Sequence, residues 1–200
     1  LRTIPEHFGR IQTAFRSISG SFRISLAHCG VLFLDELPEF SRQTLDALRQ
    51  PVETGRVDVA RAEAHVSYHA RFQLVAAMNP SPTGFYNDNR STPEQVLRYL
   101  NRLSGPFLDR IDIQIEVPAL TKGLLSSNEK GESSLQVKHR VEQARAIQIQ
   151  RQHCTNAQLN QQQLTELCPL TNELSNLLED ALDKLGLSAR AYHRIIKVAR

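Results

Sequence analysis

The chain has 200 residues, which is enough for one domain, or for one domain with a smaller one appended. A hydrophobic content of 40% and a charged content of 22% are ordinary for a folded protein and exclude a collagen-like or wholly disordered chain. The net charge is only +3, yet Arg supplies 19 of the 24 basic residues, and arginine suits bidentate contacts with phosphate. Compositional bias explains this excess equally well, so it does not assign a partner.

The sequence indicates neither secretion nor a membrane span. No apolar run approaches the roughly 18 residues of a membrane span, and charged side chains interrupt the stretch where a signal peptide would be apolar. We therefore expect a cytoplasmic protein. Cys29, Cys154 and Cys168 are odd in number and far apart, which favours reduced thiols. Because the chain lacks an initiator Met and stops within a helical pattern, we expect a fragment of a longer protein.

The first clear element is a short strand. Residues 1–27 show no readable pattern, whereas Val31–Leu34 is a continuous apolar run, typical of a strand buried on both faces. Two acidic residues, Asp35 and Glu36, follow it at the end where open α/β sheets bind ligands. We assign Asp35 to a magnesium ion and Glu36 to the water that attacks a γ-phosphate. A strand that ends in a solvated acidic turn is the alternative.

A helix is predicted directly after the acidic pair. Ser41 has the side chain of an N-cap, and Phe40 is placed to pack against Leu45 across the first turn. Pro51 predicts the end of this helix, because proline lacks the N–H that a helix interior uses.

A hairpin and a second buried strand come next. The β-rich pieces 56–59 and 65–68 predict a hairpin inserted between the main strands. Residues 72–78 are apolar enough for a buried strand, which Asn79 and Pro80 close. The side-chain amide of Asn79 can hydrogen-bond both a phosphate oxygen and a water, although Asn-Pro after a strand is also an ordinary turn.

The following segment predicts a helix and a strand. Residues 92–95 combine a capping box with proline at the first helical position, and Gly105 and Pro106 close the helix. The apolar stripe of this helix comprises Val96, Leu100 and Leu103. Residues 111–117 alternate apolar and polar side chains without exception, which predicts a strand with one wet face.

Beyond Pro118 the chain changes character. Residues 121–134 are polar and contain two glycines, which is typical of a linker, and the rest of the chain has a helical pattern. The apolar positions of that pattern are Val137, Val141, Ala144, Ile147, Leu174, Leu177, Leu178, Ala181, Leu182 and Leu185. Gly186 stops one helix, and Ser188 caps the last one.

Two arginines complete the candidate site. Arg110 lies in a tight turn between a predicted helix and a predicted strand, where it could reach a neighbouring subunit and neutralise charge on a γ-phosphate. An ion pair with Asp109 or Asp112 is the alternative. Arg190 lies in the first turn of the last helix, beside backbone N–H groups suited to an anion. Arg194 continues this stripe, and a solvated basic face explains it equally well.

Four stretches of the chain together carry a resemblance to a known family. They are Gly30–Phe40, Arg71–Pro80, Leu103–Asp112 and Leu187–Arg194. With these motifs the chain resembles the bacterial magnesium-chelatase-like AAA+ ATPases of the YifB/ComM group, from about residue 25 to residue 200. The resemblance implies an α/β fold: a partial P-loop AAA+ core, with a parallel sheet and flanking helices, followed by a small all-α lid.

The resemblance also implies domain boundaries and site residues. The core would span residues 1–118, a linker 119–134 and the lid 135–200. The residues that match the family's motifs are Asp35 and Glu36 for Walker B, Asn79 for sensor 1, Arg110 for the arginine finger and Arg190 for sensor 2. The resemblance implies that Asp35, Asn79 and Arg190 bind the nucleotide and that Asp35 also binds the metal.

The activity implied by the resemblance is hydrolysis of ATP with Mg²⁺ in a ring, expected to be a hexamer, with ATP at the subunit boundaries. Within the group, ComM is a DNA branch-migration motor, so DNA is the implied substrate. The magnesium-chelatase relatives use the same type of ATPase for porphyrin metallation, so a metal-chelatase motor subunit is a second possible function. A non-catalytic assembly or nucleic-acid-binding module is a third.

The chain departs from the family at the phosphate-binding loop. None of the nine glycines is followed by Lys, so the G-x-x-x-x-G-K-[ST] motif is missing, and we expect no tight ATP binding by this chain alone. Either the loop precedes the chain in a longer protein, or the protein is a remnant. The family's strand order puts the missing strand between those that end at Asn79 and Val117. We expect residues 1–27 to fill part of this gap, or the sheet to reclose.

Overall fold

The computed structural model describes residues 11–13, 24–61, 64–84, 90–118 and 131–200. These residues form two compact units, which are treated separately below. The first unit, Leu1–Ile111, contains the strands and is called the α/β unit; the second, Asp112–Arg200, contains helices and is called the helical unit. The predicted linker lies mostly outside the described residues, so the predicted domain boundaries stay a prediction.

The main sheet of the α/β unit is small and parallel. Its strands are β1 (Ile11–Thr13), β2 (Val31–Leu34) and β5 (Gln73–Ala76), with β2 in the middle. The strand expected over Val31–Leu34 is therefore confirmed, with Leu32 and Leu34 buried and Val31 and Phe33 half-buried. The second buried strand, expected over residues 72–78, forms only over Gln73–Ala76, and the prediction that it is buried is wrong: its side chains are mostly exposed, because among the described strands it pairs only with β2 and lies at the edge of the sheet. The expectation that residues 1–27 fill a gap beside the second buried strand is wrong for the part described, because β1 pairs with β2 on the side away from β5.

The first long helix, α1 (Arg42–Thr54), begins as predicted and ends later than predicted. The Thr44 N–H donates to Ser41 Oγ at 3.2 Å, which confirms the N-cap. Pro51 lies inside the helix and is buried, so the prediction that it ends the helix is wrong. Its ring removes only one donor near the carboxyl end. The helix ends instead at Gly55, whose φ of +68° closes the last turn through an N–H bond to the Pro51 carbonyl.

The predicted hairpin is confirmed as a separate two-stranded antiparallel sheet. It consists of β3 (Arg56–Arg61) and β4 (Ala64–His69), with Val57 opposite Tyr68. One cluster of buried residues joins the hairpin to β2 and α1. It comprises Ile24, Ala27, Leu32, Leu34, Leu37, Phe40, Leu45, Leu48, Val57, Ala70, Leu103 and Phe107. This cluster includes the predicted contact partners Phe40 and Leu45.

The next helix, α2 (Pro93–Leu100), carries the predicted capping box and the proline at its start. It ends at Asn101, so Gly105 does not close it; that glycine begins the short helix α3 (Gly105–Leu108). The predicted stripe is partly wrong, because Tyr99 is the buried side chain of α2 whereas Leu100 is 39% exposed. Val96 shares a helix face with both Tyr99, three residues on, and Leu100, four residues on, and Tyr99 takes the buried position.

The alternating segment 111–117 forms no strand, and that prediction is wrong. The side chains of Ile113, Ile115 and Val117 are 65%, 81% and 81% exposed. Alternation describes a strand only where a partner strand supplies hydrogen bonds, and none of the described residues pairs with this segment. Of its apolar side chains, Ile111 is partly buried and packs against the core cluster of the α/β unit, whereas Ile113, Ile115 and Val117 stay exposed.

The helical unit contains four α-helices among its described residues. They are α4 (Ser134–Gln152), α5 (Gln161–Leu167), α6 (Asn172–Leu185) and α7 (Ala189–Ala199). Gly186 ends α6 with a φ of +62°, and Ser188 precedes α7, as predicted. Cys29, Cys154 and Cys168 are free thiols. In the described part of the chain, no helix combines the length and the apolar character that crossing a membrane requires.

Candidate functional site

Polar side chains gather at the carboxyl edge of the main sheet. Leu34 pairs with Ala76 in register, and the ladder continues beyond both strands: the Ala77 N–H donates to the Leu34 carbonyl at 2.9 Å, and the Leu37 N–H donates to the Ala77 carbonyl at 3.0 Å. The turn between Leu34 and Leu37 is therefore fixed to the chain that follows β5. This registration brings the exposed Walker B candidates and Asn79 to the same edge of the sheet.

The backbone of Glu36 is held in an unusual conformation. Its φ of 52° and ψ of 51° lie in the left-handed region, which costs an ordinary L-residue about 1–2 kcal/mol. Its N–H donates to Asp35 Oδ1 at 2.9 Å, and the buried Leu37 and Pro38 follow directly. Strain of this kind persists where the surroundings over-determine the backbone, and it is concentrated at functional sites. The turn directs two adjacent exposed carboxylates away from the core.

Tyr99 supports this edge from inside the unit. Burial raises the pKa of the Tyr99 phenol, and the negative charge of Glu39 raises it further. A hydrogen bond from the backbone of Asn79 acts in the opposite direction and lowers the pKa, while the charge of Glu36 raises it. The phenol thus lies close to both the acidic turn and Asn79.

Arg102 contacts the residues that follow the acidic turn of Asp35 and Glu36. Its Nη1 donates to the Pro38 carbonyl and to Glu39 Oε1, both at 3.1 Å. One guanidinium, two residues beyond the end of α2, therefore binds the short 3-10 helix Leu37–Glu39. Neither Tyr99 nor Arg102 was singled out from the sequence, because no local motif marks them. The partners of Arg102 lie more than sixty residues away in the chain.

Arg110, the arginine-finger candidate, has a partner that the sequence did not suggest. Its Nη2 donates to Glu53 Oε2 at 2.6 Å, and its Nη1 donates to the Pro106 carbonyl. The side chain is 11% exposed. The alternative of a pair with Asp109 or Asp112 is therefore wrong, and a different carboxylate takes that place.

The remaining candidate, Arg190, lies in the helical unit. It is exposed in the first turn of α7, as predicted. Arg194 belongs to the same helix, but its Nε donates to Asp112 Oδ1 at 2.5 Å and its side chain is 24% exposed. A solvated basic face therefore does not describe Arg194, whose charge is paired within the helical unit.

The chemistry of the acidic turn suits magnesium better than a transition metal. Asp35 and Glu36 offer carboxylate oxygens, which Mg²⁺ prefers, and Mg²⁺ is ordinarily held by one or two carboxylates together with waters and substrate phosphates. Among the described residues, no three His, Cys, Asp or Glu side chains form a group that could hold a metal ion unaided. The residues present therefore fit a magnesium ion that is bound together with a triphosphate.

Comparison with known proteins identifies the family. The family model described as magnesium chelatase, subunit ChlI, matches residues 16–125, and the model described as magnesium chelatase, subunit ChlI C-terminal, matches residues 131–200. The chain therefore belongs to the magnesium chelatase subunit ChlI family, and the resemblance inferred from the sequence is confirmed.

Several known proteins are similar to this chain. It is 57% identical to competence protein ComM of Haemophilus influenzae over 180 residues, which cover 88% of this chain and 35% of ComM. It is 57% identical to YifB of Escherichia coli over 187 residues, 92% of this chain and 37% of YifB. It is 38% identical to Mb2921c of Mycobacterium bovis over 209 residues, 98% of this chain and 40% of that protein. The chain spans between 35% and 40% of the length of these relatives.

Proposed function

We propose that this chain supplies part of the catalytic machinery of an AAA+ ATPase of the ComM/YifB type, which couples ATP hydrolysis to the remodelling of DNA. Membership of the magnesium chelatase family supports an enzyme that uses ATP and Mg²⁺. The chain alone lacks the phosphate-binding loop motif, so the proposal concerns the protein that carries this chain together with such a loop.

One observation carries the proposal: the register of β2 and β5 brings two carboxylates and an amide to one edge of the sheet. In the proposed site Asp35 would hold Mg²⁺, which when bound would neutralise charge on the phosphates. Glu36 would orient the attacking water and accept its proton, and Asn79 would hydrogen-bond the water or a phosphate oxygen. Its position after β5 and its exposure support that role.

The two arginines would act from outside this edge. Arg110 would serve as the arginine finger, which stabilises the charge that develops on a triphosphate held by a neighbouring subunit. Arg190 would bind a phosphate as sensor 2, and its exposure in the first turn of α7 supports that role. A finger acts across a subunit boundary, so the proposal includes a ring, which we expect to be a hexamer.

The test is Glu36→Gln in the ring-forming protein that carries the chain. The amide keeps the shape of the side chain but accepts no proton, so we expect nucleotide binding to persist and hydrolysis to fall by about a hundredfold or more. Glu94→Gln, which neutralises an exposed carboxyl in α2, is the matched control and should hydrolyse ATP normally. Unchanged turnover in Glu36→Gln would remove Glu36 from its proposed role.

DNA is the proposed substrate, as the resemblance to the ComM/YifB group implies, and competence protein ComM is 57% identical to this chain. A cytoplasmic location fits this substrate. Two alternative functions predict different results in solution. A non-catalytic nucleic-acid-binding module would bind DNA without ATP and with a steep dependence on salt, since its arginines would release counterions from phosphates. A metal-chelatase motor would instead show an ATPase that depends on a porphyrin acceptor, as the family description makes worth testing.

A further inference from the structure

Three acidic residues of the α/β unit stand seven positions apart. They are Glu39, Asp46 and Glu53, and we call them the acidic row. Asp46 and Glu53 both belong to α1, where a spacing of seven places two side chains on the same face, and Glu39 ends the 3-10 helix just before it. The row therefore runs along one side of α1, from the acidic turn to the end of the helix.

Each member of the acidic row accepts a hydrogen bond from the segment 102–110. The three pairs, with donor–acceptor distances of 3.1, 3.3 and 2.6 Å, are Arg102–Glu39, Ser104–Asp46 and Arg110–Glu53. The segment that carries the finger candidate is thus attached at three points, one on the 3-10 helix and two on α1. Because the first two contacts do not involve Arg110, its side chain can change partner while the segment stays in place.

The guanidinium of Arg110 is held by partners within its own subunit. Its side chain is 11% exposed, whereas that of Glu53 is 48% exposed. Both Nη atoms donate within the unit, to Glu53 and to the Pro106 carbonyl. Among the described residues, its buried Nε has no hydrogen-bond partner. In this position the guanidinium is paired within its own unit and largely shielded from solvent.

A carboxylate and a phosphate are competing acceptors for one guanidinium, because both offer paired oxygens that match its planar fork. We propose that Glu53 is a positioning residue for Arg110. It holds the guanidinium against α1 in the separate subunit and releases it to the triphosphate bound by a neighbouring copy. This inference rests on the proposed function, in which Arg110 is the arginine finger.

The test measures ATPase activity per subunit against protein concentration, at saturating ATP, in the ring-forming protein that carries the chain. In wild type, breaking the Glu53–Arg110 contact opposes assembly of each active boundary. Glu53→Gln keeps the size of the side chain and removes its charge. It should lower the protein concentration at half-maximal activity about two- to fivefold, the range for a partly exposed ion pair, while maximal turnover stays within about twofold of wild type.

Two controls separate this effect from others. Glu94→Gln makes the same change of charge at an exposed position in α2 and should leave both quantities unchanged. In an Arg110→Ala background, which is expected to be inactive, assembly is followed by sedimentation velocity instead; there Glu53→Gln should leave the concentration of half-maximal ring assembly unchanged, because the partner through which it acts is gone. A pair with only a structural role would show coupling in a double-mutant cycle of unfolding, yet would leave the concentration dependence unmoved.

The outcomes distinguish the inference from the function on which it rests. A lower maximal turnover in Glu53→Gln, or an unchanged half-maximal concentration, would overturn the role of Glu53 while Arg110→Ala still abolishes activity. If Arg110→Ala instead hydrolyses ATP like wild type, Arg110 is not the finger, and the proposed function fails together with the inference.

Discussion

The strained turn at Glu36 leads to a prediction about stability and function together. At φ 52° and ψ 51°, an L-residue costs about 1–2 kcal/mol, whereas glycine adopts this conformation without that cost. Glycine also gains freedom in the unfolded chain, which opposes the benefit by about 0.5–1 kcal/mol. We therefore expect Glu36→Gly to stabilise the α/β unit by about 0.5–1 kcal/mol, although it removes the carboxylate proposed to orient water.

The measurement is urea unfolding of this chain followed by far-ultraviolet circular dichroism, since the sequence has no Trp to report by fluorescence. Glu36→Gln is the matched control, because it removes the charge and keeps the strained backbone. Hydrogen exchange of the β2 amides assigns the change to the α/β unit rather than to the helical unit. If Glu36→Gly is no more stable than Glu36→Gln, the turn is not strained in the way its dihedral angles indicate.

Two further predictions concern packing and pH. Gly55→Ala should lose about 2 kcal/mol, since its φ is +68° and its new Cβ would lie 2.7 Å from Arg71 Cγ. Gly186→Ala, at φ +62° with no atom within 4 Å of the new Cβ, should lose only the backbone part of about 1 kcal/mol in the same urea assay. The folded pKa of Tyr99 is raised, so the unfolded state loses its proton first, and stability should fall as pH rises past 10.0. Tyr99→Phe should show a shallower loss in urea titrations across that range, and an identical slope would contradict this account.

Local signals in the sequence predicted local structure well. Val31–Leu34 was recognisable as a strand because four consecutive apolar residues need cover on both faces. Ser41 and the capping box at Thr92 were recognisable because a cap satisfies backbone N–H groups within a few residues of itself. In each case the partners that decide the structure lie close together in the chain.

The predictions that failed depend on partners or geometry beyond the local pattern. Pro51 does not end α1, because its cost is one hydrogen bond and the glycine that follows four residues later provides a better end. The alternation of 111–117 predicted a strand that does not form, and no described strand lies beside it. Whether such a segment pairs is decided by the rest of the sheet and not by its own sequence.

The candidate site was predictable in part for the same reason. The acidic turn and Asn79 follow the neighbouring parallel strands β2 and β5, and parallel strands bring their carboxyl ends to one edge. The partner of Arg110 was not predictable, because Glu53 stands 57 residues away and the nearer Asp109 and Asp112 offered equally good charges. The spacing of seven in the acidic row is a signal present in the sequence, and only the contacts with segment 102–110 give it meaning.

The central claim is that the acidic turn of one subunit and Arg110 of another act on one triphosphate. The most direct test mixes Glu36→Gln and Arg110→Ala forms of the ring-forming protein, each inactive alone, in equal amounts. Random assembly gives about one boundary in four with an intact acidic turn and an intact finger, so the account predicts that ATP hydrolysis returns in the mixture. A mixture that stays as inactive as its two components would contradict it.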